Sequence, residues 1–313
     1  MLAERAAGST VVAILVTAIL LLVGPAVFPS GAAGQRPAID VPSSPMPQRV
    51  WFDADGELLP FNEGDDELLK ELLRGAEVVD RENIPVGVTD PIRLTLKYND
   101  TEFHGIFRFV DTVYDRVRMD DGRVRTNLKD SCHFEPAAYE LARLLHIDSV
   151  PPAVNRRIGN DNGSLQIWVY GTIMEDERLE QEMRAPDRTA WTRQVNAMYL
   201  FDALIGNDDR TQQNILIDEN WKIWLIDHTR AFYARAEAPF LSKVIYVEKN
   251  FWGALQALDK ASLTQALDKY LTGSEIDRIL ERRERVVAHI QGLIDTRTEG
   301  AVIYEWGPQS ASR

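Results

Sequence analysis

Residues 200–232 read LFDALIGNDDRTQQNILIDENWKIWLIDHTRAF. The apolar positions from Val195 to Ile205 recur at helical spacing and predict a helix. Gly206 and Asn207 end it, because both residue types tolerate a left-handed backbone. A polar loop follows, Asp208-Asp209-Arg210-Thr211-Gln212-Gln213-Asn214. Ile215-Leu216-Ile217 then forms one short apolar run and Trp221 to Ile226 a second, separated by a turn at Asp218-Glu219-Asn220. The order is helix, charged loop, strand, turn, strand, and then Asp227-His228.

A β-hairpin brings its two ends together. Asn214 enters the first strand and Asp227 leaves the second, so the two become neighbours, with Asp209 held at the same end. An amide oxygen and two carboxylates therefore converge. Such hard oxygen ligands suit Mg²⁺ or Mn²⁺, which keep waters and phosphate oxygens in their shells. The remaining acid is placed to orient or deprotonate a hydroxyl nucleophile.

The pattern D-R-x-x-x-N at Asp209-Arg210 to Asn214, a short strand pair and then Ile226-Asp227 resembles the catalytic core of atypical kinases. It is similar to the type II phosphatidylinositol 4-kinases, the secretory-pathway Golgi casein kinase family and the HipA-like kinases. The resemblance implies Asp209 as catalytic base, with Arg210 beside it in the motif. It implies Asn214 and Asp227 as metal ligands. It spans about residues 84–290, carried by three short motifs.

Composition sets bounds on this. A chain of 313 residues that is 45% hydrophobic can bury a core as one two-lobed domain or two small ones. A net charge of -13 argues against a general nucleic-acid binder, which needs a basic surface. It leaves an ATP site open, where a few local cations set the field. Cys132 is the single cysteine, so no intrachain disulfide forms. Cys132, His104, His133 and His228 show no zinc spacing and read as ordinary residues. No G-x-S-x-G pattern supports a hydrolase.

Thr10 to Phe28 is uncharged and rich in Val, Leu, Ile and Ala, about long enough to cross ~30 Å of hydrocarbon as a helix. It reads as a signal peptide cleaved near Ala33 or as an uncleaved anchor, with the bulk of the chain outside the cytoplasm. Gln35 to Pro47 is a Pro- and Ser-rich linker. Leu68, Leu69, Leu72 and Leu73 mark a packing helix.

Ile92 to Tyr98 alternates with period two, Asn99-Asp100 turns, and Phe103 to Val110 is the partner strand. Ile84 to Thr89 is a weakly glycine-rich loop placed to cover a nucleotide. The resembling families carry a phosphate-binding lysine in the strand that follows. Here that position is Arg108, in Gly105-Ile106-Phe107-Arg108. Arg holds phosphate bidentately but differs in length and shape from Lys. Lys97 and Lys129 are the alternative cations, each also readable as a surface lysine.

Phe134 to Leu145 is an amphipathic helix with Glu135 in its first turn, where a carboxylate favours the helix dipole. Glu135-Pro136-Ala137-Ala138-Tyr139, followed by Val150-Pro151-Pro152, resembles the E-x-x-A-Y helix of those families. That resemblance implies that Glu135 pairs with the nucleotide-site cation, Arg108. Val154 to Ile158 and Ser164 to Tyr170 form a hairpin, after which backbone groups of Val169 and Tyr170 are placed to bond an adenine. Asp176 to Arg188 reads as a charged, mobile segment. Residues 251–294 read as helical throughout, with a solvated charge run from Asp277 to Arg285, and the tail after Thr296 carries no signal.

The expected fold is α+β: a two-lobed, protein-kinase-like fold with a small antiparallel-sheet N-lobe at 51–170 and a helical C-lobe at 171–296. Residues 1–34 precede it as a hydrophobic signal or anchor, 35–50 link, and 297–313 form a tail. The expected function is ATP- and Mg²⁺- or Mn²⁺-dependent transfer to a hydroxyl of a protein, glycan or lipid, outside the cytoplasm or at the membrane. The alternative is a pseudokinase, a membrane-tethered binding domain without turnover. Arg108 favours the pseudokinase, and Asp209, Asn214 and Asp227 favour the enzyme.

Overall fold

The computed structural model describes Trp51, 53–55, Leu59, 66–84, 91–118, Gly122, 124–233 and 235–307, all within one compact unit, Pro42–Arg313. The segments Thr10–Phe28 and Gln35–Pro47 and most of the Ile84–Thr89 loop lie outside the described residues. Among the described residues no helix is long and apolar enough to cross a membrane.

Helix α1 (Asp66–Gly75) buries Leu69, Leu72 and Leu73 of the expected leucine stripe, while Leu68 is exposed on its other side. Strands β1 (Glu77–Asn83), β2 (Ile92–Tyr98) and β3 (Thr101–Arg108) follow as an antiparallel meander. Asn99 takes a φ of 54° in the two-residue turn between β2 and β3. The β3 strand starts and ends two residues earlier than its alternation suggests, because Val110 turns away to begin another hairpin. That hairpin is β4 (Asp111–Arg118) with β5 (Val124–Ser131), a separate two-stranded ribbon.

Helix α2 (Phe134–Leu144) leads into β6 (Ala153–Ile158) and β7 (Asp161–Ile167). These complete a five-stranded antiparallel sheet in the order β1-β2-β3-β7-β6. Next come β8 (Thr172–Met174), α3 (Glu175–Glu180) and α4 (Arg188–Ile205). The segment read as mobile is partly helical, because Arg178 binds Glu175 and stacks on Trp191 at 5.1 Å.

Strands β9 (Ile215–Asp218) and β10 (Ile223–Leu225) are the expected hairpin and pair with β8 as a second antiparallel sheet. The chain closes with β11 (Val247–Glu248), α5 (Lys249–Ala257), α6 (Lys260–Leu267), α7 (Gly273–Arg297) and β12 (Ile303–Tyr304). Residues 251–294 are therefore not one helix. Capping boxes at Asp259 and Thr272 satisfy new helix N-termini and break the run twice. The stretch after Thr296 also forms structure, since β12 pairs with β11 in parallel.

Two apolar cores result. The smaller lies between α1 and the five-stranded sheet and holds Leu73, Leu96, Phe103, Phe107 and Leu165. The larger gathers α2, α4 and the C-terminal helices around Leu141, Phe201, Leu204, Leu255 and Ile279. Trp224 on β10 belongs to the smaller core, its ring 5.0 Å from Trp51, so the β9–β10 hairpin is packed directly under the sheet.

Candidate functional site

A cavity of about 400 Å³ opens where the five-stranded sheet faces the β8–β9–β10 sheet. Its walls include Ile106, Ile167, Leu216 and Ile226, and its polar groups include Arg108, Asn214 and Asp227. Arg108 is the only cation lining it among the described residues.

Arg108 ends β3 and is almost fully buried. Its Nη1 stands 3.8 Å from Glu135 Oε1, an ion pair longer than a hydrogen bond. Among the described residues its buried Nε and Nη1 atoms have no hydrogen-bond partner. A buried guanidinium with unused donors is costly unless an anion completes it. On β7, next to Ser164, the register partner of Arg108, Gly163 has no room for a side chain. A Cβ there would lie 2.3 Å from the Arg108 carbonyl oxygen and 2.6 Å from the Phe107 ring.

Glu135 is fully buried in the first turn of α2. His228 donates to it twice, from its backbone N at 2.9 Å and its Nδ1 at 3.1 Å, and Gln166 Nε2 adds a contact at 3.4 Å. Burial pushes the carboxyl up, but the Arg108 guanidinium and the His228 bonds outweigh it and hold it at about 2. His228, read from sequence as an ordinary polar residue, instead ties the segment after Asp227 to α2. Lys97 pairs with Glu102 at the exposed end of the sheet and Lys129 pairs with Glu275. Neither lines the cavity.

Beyond β7, Trp168 N donates to His104 O at 3.0 Å, and Val169 and Tyr170 pass along the cavity wall. The Val169 carbonyl accepts from Thr172 Oγ1 at 3.3 Å, and the Tyr170 hydroxyl is bonded to His104 Nδ1. Gly171, at a φ of 63°, turns the chain into β8.

The loop after α4 is built on a buried ion pair. Gly206 caps α4 at a φ of 69°. Arg210 then reaches back to Asp202 through Nε at 3.0 Å and Nη2 at 2.9 Å. Its Nη1 donates to the carbonyls of Asn214 at 2.9 Å and Ile226 at 2.7 Å. Arg210 is thus turned into the protein, away from the cavity, because the fully buried Asp202 lies behind it. It clamps the entry of β9 to the exit of β10. Ile226 N also donates to Asn214 O at 3.2 Å, which brings Asn214 and Asp227 to the same cavity edge.

The Asn214 amide is oriented by Nδ2 donating to Asp209 O at 3.2 Å. Asp227 sits at a φ of 57° and accepts from Thr229 Oγ1 at 3.1 Å. A non-glycine residue in that region is strained and marks a functional candidate. Among the described residues no cluster of three or more His, Cys, Asp or Glu side chains is placed to hold a metal. The Asn214 amide and the Asp227 carboxylate are oxygen donors on this wall, which Gln213 and Glu177 also line.

Asp209 and Asp208 go to different partners. Asp209 Oδ2 accepts from Arg230 Nη1 at 3.2 Å, and Arg230 Nε donates to the buried Asp130 at 2.8 Å. Burial raises the Asp209 carboxyl above its usual range, Arg230 opposes this, and the Asp227 charge adds to it. Asp208 pairs with Arg125 of β5. Asp130, Arg125 and Arg230 are parts of the site that the sequence reading missed.

No family model matches the chain, and no curated protein matches it in sequence. Solved structures do match. The structure of hydra Fam20 with sugar has a TM-score of 0.59 at 14% identity, covering 78% of this chain and 93% of that one. The crystal structure of the Golgi casein kinase has 0.57 at 14% identity, covering 77% and 78%. The Golgi casein kinase with Mn/ADP bound also has 0.57 at 14% identity, covering 80% and 81%. The chain takes the atypical-kinase fold, a mixed α/β architecture with an antiparallel sheet and helices.

Proposed function

We propose that this chain is an ATP- and metal-dependent phosphotransferase acting on a hydroxyl group. The observation that carries the reading is Arg108: a buried guanidinium with two donor atoms unused among the described residues, lining a cavity that Asn214 and Asp227 also line. A phosphate chain completes those donors with charge-assisted bonds. Glu135 fixes Arg108 from behind, and Gly163 leaves the backbone room it needs. The apolar walls suit a base, with the backbone at Val169 and Tyr170 at its edge. Asn214 and Asp227 offer hard oxygens for Mg²⁺ or Mn²⁺, with phosphate and water completing the shell. The metal supplies charge neutralisation at the phosphates.

Asp209 takes the proton of the acceptor hydroxyl. Its raised pKa makes it a stronger base than an exposed aspartate, and Arg230 holds its orientation. Arg210 acts as a positioning residue that sets the loop. Most of the rate arises from alignment and fixed charge. In this reading an N-lobe at 51–170 and a C-lobe at 171–296 follow a signal or anchor at 1–34 and a linker at 35–50, and precede a tail at 297–313. The Thr10–Phe28 segment places the domain at the membrane or outside the cytoplasm, and the acceptor is a protein, glycan or lipid.

One observation favours a second reading. Arg108 stands where the resembling kinases carry lysine, and a pseudokinase would bind nucleotide there without turning it over. Calorimetric titration of ATP with and without Mn²⁺, on the intact protein and on Asp227→Ala, tests the site. Metal-dependent binding that disappears in Asp227→Ala is expected. Equal metal-dependent affinity in both proteins would remove Asp227 from the site. Binding without consumption of ATP would select the pseudokinase.

A further inference from the structure

Arg282 falls within the Asp277–Arg285 charge run of α7 that reads as solvated, yet it is completely buried. It forms no ion pair with any carboxylate among the described residues, and burial holds its guanidinium down at about 10. A buried charge without a countercharge is expensive, so what it binds is informative. Its Nε donates to Leu204 O at 2.7 Å. Its Nη1 donates to Tyr233 O at 3.0 Å and Arg235 O at 2.7 Å. Leu204 lies at the end of α4, just ahead of the Asp209 loop, and Tyr233 and Arg235 follow the Asp227 segment.

Gly206 closes over the same guanidinium. A Cβ built there would stand 3.0 Å from the Arg282 guanidinium carbon. Gly206, Tyr233 and Arg235 also line an open furrow of about 610 Å³ that includes Asp208 and shares no lining residue with the Arg108 cavity. One side chain thus fastens the root of the Asp209 loop to the segment that follows Asp227. Only the arginine fork presents donors in several fixed directions, as three carbonyls on two segments require.

We propose that Arg282 is a positioning residue for phosphoryl transfer, which holds the Asp209 loop in register with the segment carrying Asp227. This rests on the phosphotransferase reading above. A shift of about 1 Å at a reacting group lowers rates on the order of a hundredfold while leaving remote binding contacts in place.

The test uses the full chain and the variants Arg282→Met, Arg282→Lys and Gly206→Ala. Two quantities are read: the Kd for Mn–ATP, and the rate of Mn–ATP consumption with water and the protein's own hydroxyls as acceptors. Gly206→Ala keeps every Arg282 donor but crowds the guanidinium and also strains the backbone at a φ of 69°, so Arg282→Lys decides where the two differ. All three variants are expected to consume Mn–ATP at least about tenfold more slowly with Kd within about twofold, because no Arg282 contact reaches the nucleotide cavity. If Arg282→Met does not fold, the other two variants decide by the same readings. Unchanged consumption in folded variants overturns the proposal. So does a Kd that worsens by the factor that consumption falls, which is what general loosening would give. If the unmodified protein neither binds nor consumes Mn–ATP, the phosphotransferase reading itself fails and takes this inference with it.

Discussion

Replacing Glu135 by glutamine removes a single buried charge and should cost the fold heavily in a pH-dependent way. Glu135 is fully buried and receives Arg108, two donors from His228 and one from Gln166. A carboxyl moved from 4.5 to about 2 represents on the order of 3 kcal/mol of folded-state interaction. Removing one member of a buried ion pair gives a similar figure, about 3–5 kcal/mol, because the partner charge is left stranded. That is a large part of the roughly 5–15 kcal/mol that holds a domain together.

The sign follows from the depressed pKa. The stabilisation is complete above 4.5 and is lost as pH falls through about 2. Urea unfolding of the unmodified protein and Glu135→Gln at pH 7, 5, 4 and 3 measures it. The difference should be about 3 kcal/mol at pH 7 and should shrink steadily below pH 5. The double variant Glu135→Gln/Arg108→Met should recover part of the loss, since it strands no charge. A difference that stays constant from pH 7 to 3, or one below about 0.5 kcal/mol at pH 7, would refute the argument.

Two further outcomes follow from packing. Gly163→Ala forces a Cβ against the Arg108 carbonyl and the Phe107 ring and should lower stability by about 1–3 kcal/mol or more, whereas Gly292→Ala in α7, with nothing within 4 Å, should be neutral or stabilising by up to about 1 kcal/mol. Urea midpoints of both variants separate these cases. Cys132 is fully buried and its thiol is pushed up to about 11, chiefly by burial, so iodoacetamide at pH 7.5 should label it only after denaturant is added. Rapid labelling of the native protein would contradict that.

The parts of the fold visible in the sequence were those with a buried periodic face. The β9–β10 hairpin was legible because Ile215, Ile217, Ile223 and Leu225 are all buried on short strands that flank a turn. The α1 and α2 stripes were legible for the same reason. The β4–β5 ribbon was not, since β4 is exposed along nearly its whole length and no face imposes an apolar pattern. Arg125 and Asp130, which hold Asp208 and Arg230, sit on β5 of that ribbon and were missed with it.

Candidate residues carried by local motifs, Asp209, Asn214 and Asp227, were nameable from the hairpin spacing together with the resemblance. The Glu135–Arg108 pair was implied by the resemblance, but other partners brought in from a distance had no signal. Asp202 and Arg210 are joined by folding back of the loop, and Glu135 and His228 meet across the whole central chain. Arg282 was concealed by its neighbours, because an inward-facing arginine within a run of charges has no signature of its own. The signals for the breaks between the last helices are the D-x-x-S cap at Asp259 and the T-x-x-E cap at Thr272, which override the helical periodicity.

The central claim is that Asp209 is the base of a phosphoryl transfer, and Asp208 is its internal control. The two carboxylates are adjacent but differently employed: Asp209 faces Arg230 and is raised by burial, while Asp208 is paired with Arg125. The direct measurement is Mn–ATP consumption at saturating nucleotide by Asp209→Asn and Asp208→Asn, with the Kd for Mn–ATP recorded for each. A loss of about 10²–10⁴-fold is expected in Asp209→Asn with affinity nearly kept, and a mild effect in Asp208→Asn. Normal consumption by Asp209→Asn, above all if Asp208→Asn is the inactive variant, would contradict it.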